Sequence, residues 1–304
     1  MKSIFIKALF FLLFVSCSTD LTDESSTDKK RLTQIVYEYF DQDFKAVKNI
    51  EYDALGRVVL ITDEEGKTLE TYLYNSIGKL HKKEFFDFNS ETNVLRNKEV
   101  TEYTYNSDDK ISGVTEIYSY YDTEGNFISD SSVYNEVTYS NNIMVRLNTN
   151  YNYKTEYGFD ENNLITSIKV FKDDILKSNM TFSYDAEGNC IAGSGPIDEG
   201  SLDSTTDNIN LKVIYDIEEK NAFFNQFFEY EILSSGQGFY NLKQILIDQQ
   251  GNKYAKEIEW YQYQGNIYKE TKDNVFDVNK YITTSSLSEM PNYLNYGNIT
   301  YVWE

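Results

Sequence analysis

Residues 52–58 read YDALGRV, and the same order of residue types recurs along the chain: an aromatic residue, Asp or Asn, two variable residues, Gly, a polar residue and an apolar one. Asp or Asn at position 2 can accept hydrogen bonds from backbone N–H groups two residues on. Gly at position 5 supplies the left-handed backbone of a three-residue hairpin loop with a bulge. Each copy of this seven-residue motif therefore predicts a β-hairpin.

Copies of the motif are spread over most of the chain. Residues 74–80, 121–127 and 184–190 match it at every position. Looser copies lie at residues 63–67, 105–111, 159–164, 215–216 and 248–252. Where Asp109 or Asn163 replaces the glycine, the residue type still tolerates a positive φ. The copies predict an all-β fold, an antiparallel meander of repeated hairpins that forms an extended, twisted or curled sheet.

The segments between the turns alternate as strands do. Residues 147–159 carry apolar and aromatic residues at odd positions and polar ones at even positions, which predicts a single long strand. Two places interrupt the alternation. Residues 193–208 are rich in Gly, Ser and Asp and predict a long loop. Residues 221–231 place four phenylalanines at helical spacing behind Asn221, so we expect at most one or two short helices in the fold.

The first residues carry an export address. Lys2 and Lys7 form a positive start, residues 8–15 are continuously apolar, and this stretch is too short to span a bilayer as a helix. We therefore predict a signal peptide over residues 1–16. Residues 17–31 begin small, polar and acidic, which is typical of a flexible tether. Residues 32–304 are then predicted to form a single β-repeat domain.

Residues 14–17, Phe-Val-Ser-Cys, resemble the lipobox at which bacterial lipoproteins are acylated and cleaved. The resemblance implies lipid attachment at Cys17, although Phe14 stands where Leu is commoner. The acidic tether is similar to the surface-export signals of some Gram-negative lipoproteins. Ser18 follows the cysteine where Asp would favour inner-membrane retention, so the resemblance implies the outer membrane. Both its periplasmic face and the cell surface stay open.

The repeated motif itself resembles the YD repeats of Rhs-type proteins. The whole chain is similar to bacterial lipoproteins built from degenerate YD-like hairpins. In that group a Lys-Asn-Pro-Phe motif follows a late repeat, and residues 220–223 read Lys-Asn-Ala-Phe here, without the proline. In Rhs proteins many repeats form a shell around a toxin. Eight or nine repeats are too few for such a shell, so the resemblance does not imply encapsulation.

Charge excludes several functions. Removing residues 1–16 takes away two of the 28 basic residues and none of the 49 acidic ones, so the predicted mature chain carries 26 − 49 = −23. Nucleic acid is disfavoured because its phosphates need clustered Lys and Arg. Lying flat on anionic lipid is disfavoured for the same reason, so we expect membrane contact through the lipid anchor only.

Catalytic signatures are absent from the sequence. It contains no P-loop, GxSxG or HExxH motif and a single histidine, His81. Cys190 is the one cysteine left after Cys17, and we interpret it as a small buried apolar residue rather than a nucleophile paired with His81. The 49 acidic residues guarantee that some carboxylates lie at a hydrolase separation, so pairs alone prove nothing.

Two speculative binding sites remain. Tyr151, Tyr153 and Tyr157 share one strand face and could form an aromatic platform for a sugar ring or peptide, although tyrosine also suits half-exposed strands. Four acids of the predicted long loop could bind calcium, although acids in loops are usually only solvated. They are Asp198, Glu199, Asp203 and Asp207. No other cofactor is expected.

Three functions follow from these observations. The first is a non-catalytic cell-envelope lipoprotein that binds a glycan or an envelope protein. The second is a carbohydrate-active enzyme, a glycosidase or lyase, with paired carboxylates in a deep cleft. The third is a purely structural envelope component.

Lipidation is directly testable. We expect Cys17→Ser to abolish incorporation of radiolabelled palmitate and to move the protein from the membrane fraction to the soluble fraction, because the acylated thiol is lost. Cys190→Ser should leave both unchanged. Labelling of the Cys17→Ser variant would contradict the assignment.

Overall fold

The computed structural model describes residues 30–39, 45–89, 91–197, 207–219, 230, 247, 253–262, 266–289 and 296–304. Contacts divide the chain into two units, Met1–Arg31 and Leu32–Glu304, and every described strand belongs to the second. Most of the segment predicted as a helix, residues 221–231, lies outside the described residues, but Tyr230 is helical. Among the described residues, no helix is long and apolar enough to cross a membrane.

Eighteen antiparallel strands make up the described part of the second unit. They are β1 (Leu32–Tyr39), β2 (Lys45–Tyr52), β3 (Val58–Thr62), β4 (Thr68–Tyr74), β5 (Leu80–Phe88), β6 (Leu95–Tyr105), β7 (Ile111–Tyr121), β8 (Phe127–Ser140), β9 (Ile143–Asn148), β10 (Tyr153–Phe159), β11 (Ile165–Lys172), β12 (Ile175–Tyr184), β13 (Cys190–Ile197), β14 (Asp207–Glu219), β15 (Lys253–Gln262), β16 (Asn266–Phe276), β17 (Ile282–Glu289) and β18 (Tyr296–Trp303).

Each strand pairs with its neighbours in sequence, and the last strand returns to the first. β18 pairs with β1 from Leu32↔Trp303 to Tyr39↔Tyr296. The all-β antiparallel meander is therefore confirmed, but the expectation of an extended open sheet is wrong, because the sheet closes into a β-barrel. Closure pairs the two strands that would otherwise expose their backbone N–H and C=O groups as edges.

The motif turns have the predicted chemistry. The Asp53 carboxylate accepts hydrogen bonds from the backbone N–H of Leu55 and of Arg57, both at 2.9 Å, and Gly56 has φ +78°. The same pair of bonds recurs at the position-2 residue of seven other turns. These residues are Asp63, Asn75, Asn106, Asp122, Asp160, Asp185 and Asp277.

The structure adds one motif copy and removes another. Residues 276–282 form a turn of the same kind without a glycine, and Lys280 takes the left-handed position at φ +68°. Residues 215–216, counted as a looser copy, lie inside β14 instead of in a turn. The copy at residues 248–252 lies outside the described residues.

Two predictions about segment boundaries are wrong. Residues 147–159 are not one strand: β9 ends at Asn148, residues 149–152 turn, and β10 begins at Tyr153. The asparagines at the polar positions form a turn instead. The Asn148 side chain accepts a hydrogen bond from the Tyr151 N–H, and Asn152 has φ +52°. Residues 193–197 of the predicted long loop belong to β13, and residues 207–208 belong to β14.

The turns divide between two rims. Because neighbouring strands run in opposite directions, the motifs at residues 52–58, 74–80, 105–111, 159–165, 184–190 and 276–282 lie together at what we call the repeat rim. The turns at residues 63–67, 122–126, 149–152 and 173–174 lie at the opposite rim. The chain ends, Leu32 and Trp303, pair with each other at the repeat rim.

A ladder of hydrogen bonds joins successive hairpins at the repeat rim. An aromatic side chain donates to the carbonyl of the residue that begins the preceding strand; five of the six donors end a strand, and Tyr215 lies inside β14. The six bonds are Tyr52 to Leu32, Tyr74 to Val58, Tyr105 to Leu80, Tyr184 to Ile165, Tyr215 to Cys190 and Trp303 to Ile282, with lengths between 2.5 and 2.9 Å. Each accepting residue is at most 1% exposed, so these aromatic side chains satisfy carbonyls at the edge of the core.

Position 6 of the motif adds a second link. The Arg57 guanidinium lies 4.2 Å from the centre of the Tyr74 ring and donates to the Gly78 carbonyl of the next motif at 3.2 Å. Lys79 repeats this with the Tyr105 ring and the Asp109 carbonyl. A cation at position 6 therefore contacts both the aromatic residue and the turn of the following repeat.

Tyr230 contacts β5 and β6, which are far from β14 and β15, the two strands that its segment connects. It follows β14 in sequence, yet the Leu80 N–H donates to its hydroxyl at 3.3 Å and its ring lies 5.1 Å from that of Tyr103. β5 and β6 are about halfway round the ring of strands from β14. Ile247 is also fully buried in the core. These two residues place part of the β14–β15 connection inside the barrel, near the repeat rim.

The turn residues with positive φ allow a prediction about stability. Gly66 has φ +82°, and a Cβ at this position would meet no neighbouring atom within 4 Å, so Gly66→Ala tests backbone strain alone. We expect a loss of about 1 kcal/mol in the free energy of unfolding. Lys280→Gly should gain a similar amount by relieving strain. Urea denaturation measures both, and an unchanged or raised stability of Gly66→Ala would contradict the account.

Candidate binding site inside the barrel

The interior changes from apolar to polar between the two rims. Along β7 the inward-facing residues Ile111 and Val114 are 0% exposed, Glu116 is 6% exposed and Tyr120 is 44% exposed. Along β10 exposure rises from 2% at Tyr157 to 37% at Tyr153. Water therefore reaches the interior from the opposite rim and stops at a belt of charged side chains beneath the apolar layers.

One half of this belt is centred on Glu70. The Lys48 ammonium lies 3.2 Å and the Lys83 ammonium 3.7 Å from its carboxylate oxygens, and the Tyr72 hydroxyl donates to it at 2.6 Å. Burial acts to raise the pKa of Glu70, but the two lysines and Tyr72 outweigh it and hold the pKa below its usual range. Glu70 is therefore ionised at neutral pH.

The other half is centred on Glu116. One carboxylate oxygen accepts bonds from Arg146 Nη2 and from Asn135 Nδ2, both at 3.1 Å. Burial raises the pKa of Glu116 above its usual range despite the nearby guanidinium. Burial and the neighbouring carboxylates also raise the pKa of Tyr118 to about 12. The two carboxylates are about equally buried, and among the described residues Glu116 is paired with one cation where Glu70 is paired with two.

Asn135 leaves a hydrogen-bond acceptor open. Its amide nitrogen must point to the Glu116 carboxylate, which can only accept when ionised. The amide oxygen is consequently buried and has no hydrogen-bond partner among the described residues. A buried acceptor without a donor is costly, and a ligand hydroxyl or N–H would relieve that cost.

Glu99 lies on the same face, nearer the opposite rim. The register pairs Thr101 with Glu116 and Glu99 with Tyr118, so Glu99 and Glu116 are diagonal neighbours with Cα atoms about 7–8 Å apart. Partial burial raises the pKa of Glu99, Lys83 opposes that rise and Asp87 adds to it. Two carboxyl groups with raised pKa values therefore lie side by side on one interior face, Glu116 buried in the belt and Glu99 exposed nearer the opposite rim.

Exposed aromatic and apolar side chains lie near the opposite rim on β7 to β12 and their turns, along one side of the barrel. They are Tyr120, Phe127, Ile128, Tyr151, Tyr153, Ile175 and Leu176, each at least 37% exposed. We call these seven residues the aromatic rim. Such a group beside a polar interior is typical of a surface that binds a ligand with both flat apolar faces and polar groups.

The three predicted platform tyrosines are not equivalent. Tyr157 is 2% exposed in the core, so it cannot belong to an exposed platform, and the predicted three-residue site is wrong in that respect. The face of β10 that carries Tyr157 points into the barrel. Tyr151 and Tyr153 belong to the aromatic rim, where the Lys172 ammonium lies 4.5 Å from the Tyr153 ring centre and donates to the Tyr151 carbonyl.

The calcium prediction stays a prediction. Asp198, Glu199 and Asp203 lie outside the described residues, and Asp207 begins β14. Among the residues that the structure does describe, no group of three His, Cys, Asp or Glu side chains could hold a metal ion. Cys190 is fully buried at position 7 of its motif, and burial raises the pKa of its thiol to about 12. His81 lies on β5, with Nδ1 3.3 Å from the Tyr103 carbonyl.

The charged belt was not predicted from the sequence. Its members carry a detectable signal, because each stands at the same strand parity as buried apolar neighbours: Glu70 two residues before Tyr72, Glu116 two after Val114, and Arg146 two after Met144. A charge on the apolar face of a strand indicates a paired interior charge.

Comparison with known proteins gives fold-level likenesses. No family model matches the chain, and no curated protein matches it. A porin-like protein from Bacteroides vulgatus is 8% identical, with 90% of this chain and 98% of that chain covered and a TM-score of 0.46. One from Bacteroides uniformis is 13% identical, with 90% and 96% covered and a TM-score of 0.32. The TcdB2-TccC3-Cdc42 complex is 10% identical, with 85% and 18% covered and a TM-score of 0.31.

The two carboxylates at the centres of the belt should shift stability with pH in opposite directions. The lowered pKa of Glu70 gives a contribution that is lost as pH falls through it. The raised pKa of Glu116 means that stability declines as pH rises from about 4.3, its unfolded value, through the folded pKa.

We therefore expect Glu70→Gln to reduce the loss in the free energy of unfolding as the pH falls. Glu116→Gln should reduce the decline in the free energy of unfolding as the pH rises. The free energy of unfolding, measured by urea denaturation from about pH 3 to about pH 8, tests both slopes. A change of the same sign in the two variants would contradict the assigned charges.

Proposed function

We propose that the chain is a lipid-anchored module of the cell envelope that binds a glycan at the aromatic rim and the charged belt. The anchor is the lipid on Cys17, and the membrane is the outer membrane. The ligand is an uncharged or weakly charged saccharide whose ring faces stack on exposed aromatic side chains. Its hydroxyl groups reach the belt, where Asn135 offers an acceptor and Arg146 and Glu116 are already oriented.

The observation that carries this proposal is the Asn135 oxygen, which is fully buried without a donor among the described residues, on the same interior side of the barrel wall as the belt. A structural role accounts for the amide nitrogen, which donates to Glu116, but not for the acceptor left without a donor. The belt's charges are already paired with one another, so a neutral ligand can bind without leaving an uncompensated ion.

The mature chain with Cys17→Ser gives a soluble protein for a glycan array, with and without calcium. We expect binding to a subset of glycans, and Tyr153→Ala should weaken it about tenfold, because one stacking contact contributes about 1.4 kcal/mol. Leu73→Ala removes an exposed apolar side chain outside the aromatic rim and should leave binding unchanged. Failure to bind any glycan, or equal losses in both variants, would contradict the proposal.

A second candidate is a glycosidase, favoured by the neighbouring Glu99 and Glu116 carboxyls with raised pKa values. A carboxyl whose pKa is raised by burial suits a general acid, and a second carboxyl at a diagonal position suits its partner. Product analysis of every glycan bound on the array separates the candidates. Shortened glycans that disappear with both Glu99→Gln and Glu116→Gln support the enzyme, whereas intact glycans support the binding module.

A further inference from the structure

The six motif turns of the repeat rim fall into two chemically different arcs. Going round the sheet, the turns at residues 277–281, 53–57 and 75–79 follow one another, with the two chain ends between the first and second. We call these three turns the terminal arc. The turns at residues 106–110, 160–164 and 185–189 form the far arc.

The tips of the terminal arc are apolar and strongly exposed. Leu55 is 68%, Ile77 is 58% and Val278 is 97% exposed, and each stands at position 3 or 4 of its motif. The far arc has no large apolar residue at these positions. Its residues there are Ser107, Asp108, Glu161, Asn162, Ala186 and Glu187.

The charges divide in the same way. The three terminal-arc turns hold Arg57, Lys79 and Lys280 against Asp53 and Asp277, 3 − 2 = +1, and Arg57 is ion-paired with Asp53. The three far-arc turns hold Lys110 against six acids, 1 − 6 = −5, and the acids are Asp108, Asp109, Asp160, Glu161, Asp185 and Glu187. A chain of net charge −21 thus presents, at one place, an apolar surface with a slight excess of positive charge.

That place is where the polypeptide departs toward Cys17. The fifteen residues from Cys17 to Arg31 span at most about 50 Å when fully extended. A lipid on Cys17 would therefore hold the terminal arc close to the bilayer and give its weak contacts a high effective concentration. Exposed aliphatic tips flanked by Arg and Lys fit the boundary of acyl chains and anionic headgroups.

We propose that the terminal arc docks on the phospholipid surface, with Leu55, Ile77 and Val278 inserted at the headgroup boundary. The opposite rim, with the belt and the aromatic rim, then faces away from the membrane. This inference rests on the proposed anchoring at Cys17. It departs from the expectation, drawn from the overall acidic charge, that the anchor alone contacts the membrane, because screening limits the reach of distant charges to about 10 Å at 0.1 M salt.

Site-directed spin labelling of the lipidated mature chain in vesicles of neutral and anionic phospholipid tests the inference. Nitroxides are placed by Leu55→Cys and Val278→Cys, with Glu187→Cys on the far arc and Glu65→Cys at the opposite rim as controls. Cys17 carries the lipid, and Cys190 stays unlabelled because it is buried. We expect labels at 55 and 278 to collide several-fold more with oxygen, relative to a water-soluble nickel chelate, than the controls.

A second variant tests the tips as a group. With Leu55→Asp, Ile77→Asp and Val278→Asp combined, a label at Ser76→Cys should lose its preference for oxygen while the protein still floats with the vesicles. Equal accessibility at all four original sites would overturn the docking. Shielding of 55 and 278 from both reagents would overturn it too, since protein instead of lipid would cover the arc. Failure to float would remove the anchor and the docking with it.

Discussion

An aromatic side chain that donates to the first carbonyl of the preceding strand holds one hairpin to the next, and the barrel depends on the repetition of this contact. The carbonyls belong to residues that are at most 1% exposed, where an unpaired acceptor would cost about 1–3 kcal/mol. Tyrosine at position 1 supplies both the ring that packs against the core and the hydroxyl that reaches the carbonyl. Burial raises the pKa of Tyr74 and of Tyr184, which keeps these hydroxyls protonated as donors.

The ladder also explains how a short meander becomes a closed one. Each bond joins the aromatic residue of one hairpin to the start of the strand beside it, and the same bond at Trp303 joins the last two strands. Tyr52 does the same for β1 and β2, on the other side of the seam where Leu32 pairs with Trp303. The strands on both sides of the seam thus carry the same aromatic-to-carbonyl hydrogen bonds as the interior repeats. When β1 and β18 pair, these hydrogen bonds of the repeat rim are already in place.

Closure creates an inside, and the inside separates the two rims by chemistry. The motif concentrates apolar residues at position 7, so the core is dry at the repeat rim. The opposite rim has turns of several lengths, and the interior beneath it is polar and reached by water. The charged belt lies at the boundary between these regions. The ligand site that we propose lies at this boundary, where the residue requirements of the motif end.

Much of this was predictable from local residues, and the rest was not. The Asp or Asn at position 2 and the residue with positive φ defined hairpins correctly, because both act through atoms within five residues. The strand predicted over residues 147–159 failed because asparagines can form either the wet face of a strand or a turn. Closure was not predictable, since the pairing of Leu32 with Trp303 joins residues 271 positions apart. The belt was missed because Glu70 and Arg146 resemble surface charges until their strand face is known.

Closure of the sheet is the central claim, and an engineered cross-link across the seam tests it most directly. Gln34 and Val302 are register partners on β1 and β18, and directly opposed residues in an antiparallel pair have Cα atoms about 4.5–5.5 Å apart, which suits a disulfide. In the Cys17→Ser mature chain, Gln34→Cys with Val302→Cys should oxidise to an intramolecular disulfide, seen as a thiol loss and a gel shift in the monomer. Gln34→Cys with Asn298→Cys, four residues out of register, should not. An open sheet would leave the matched pair as reactive as the mismatched one, and that result would contradict the account.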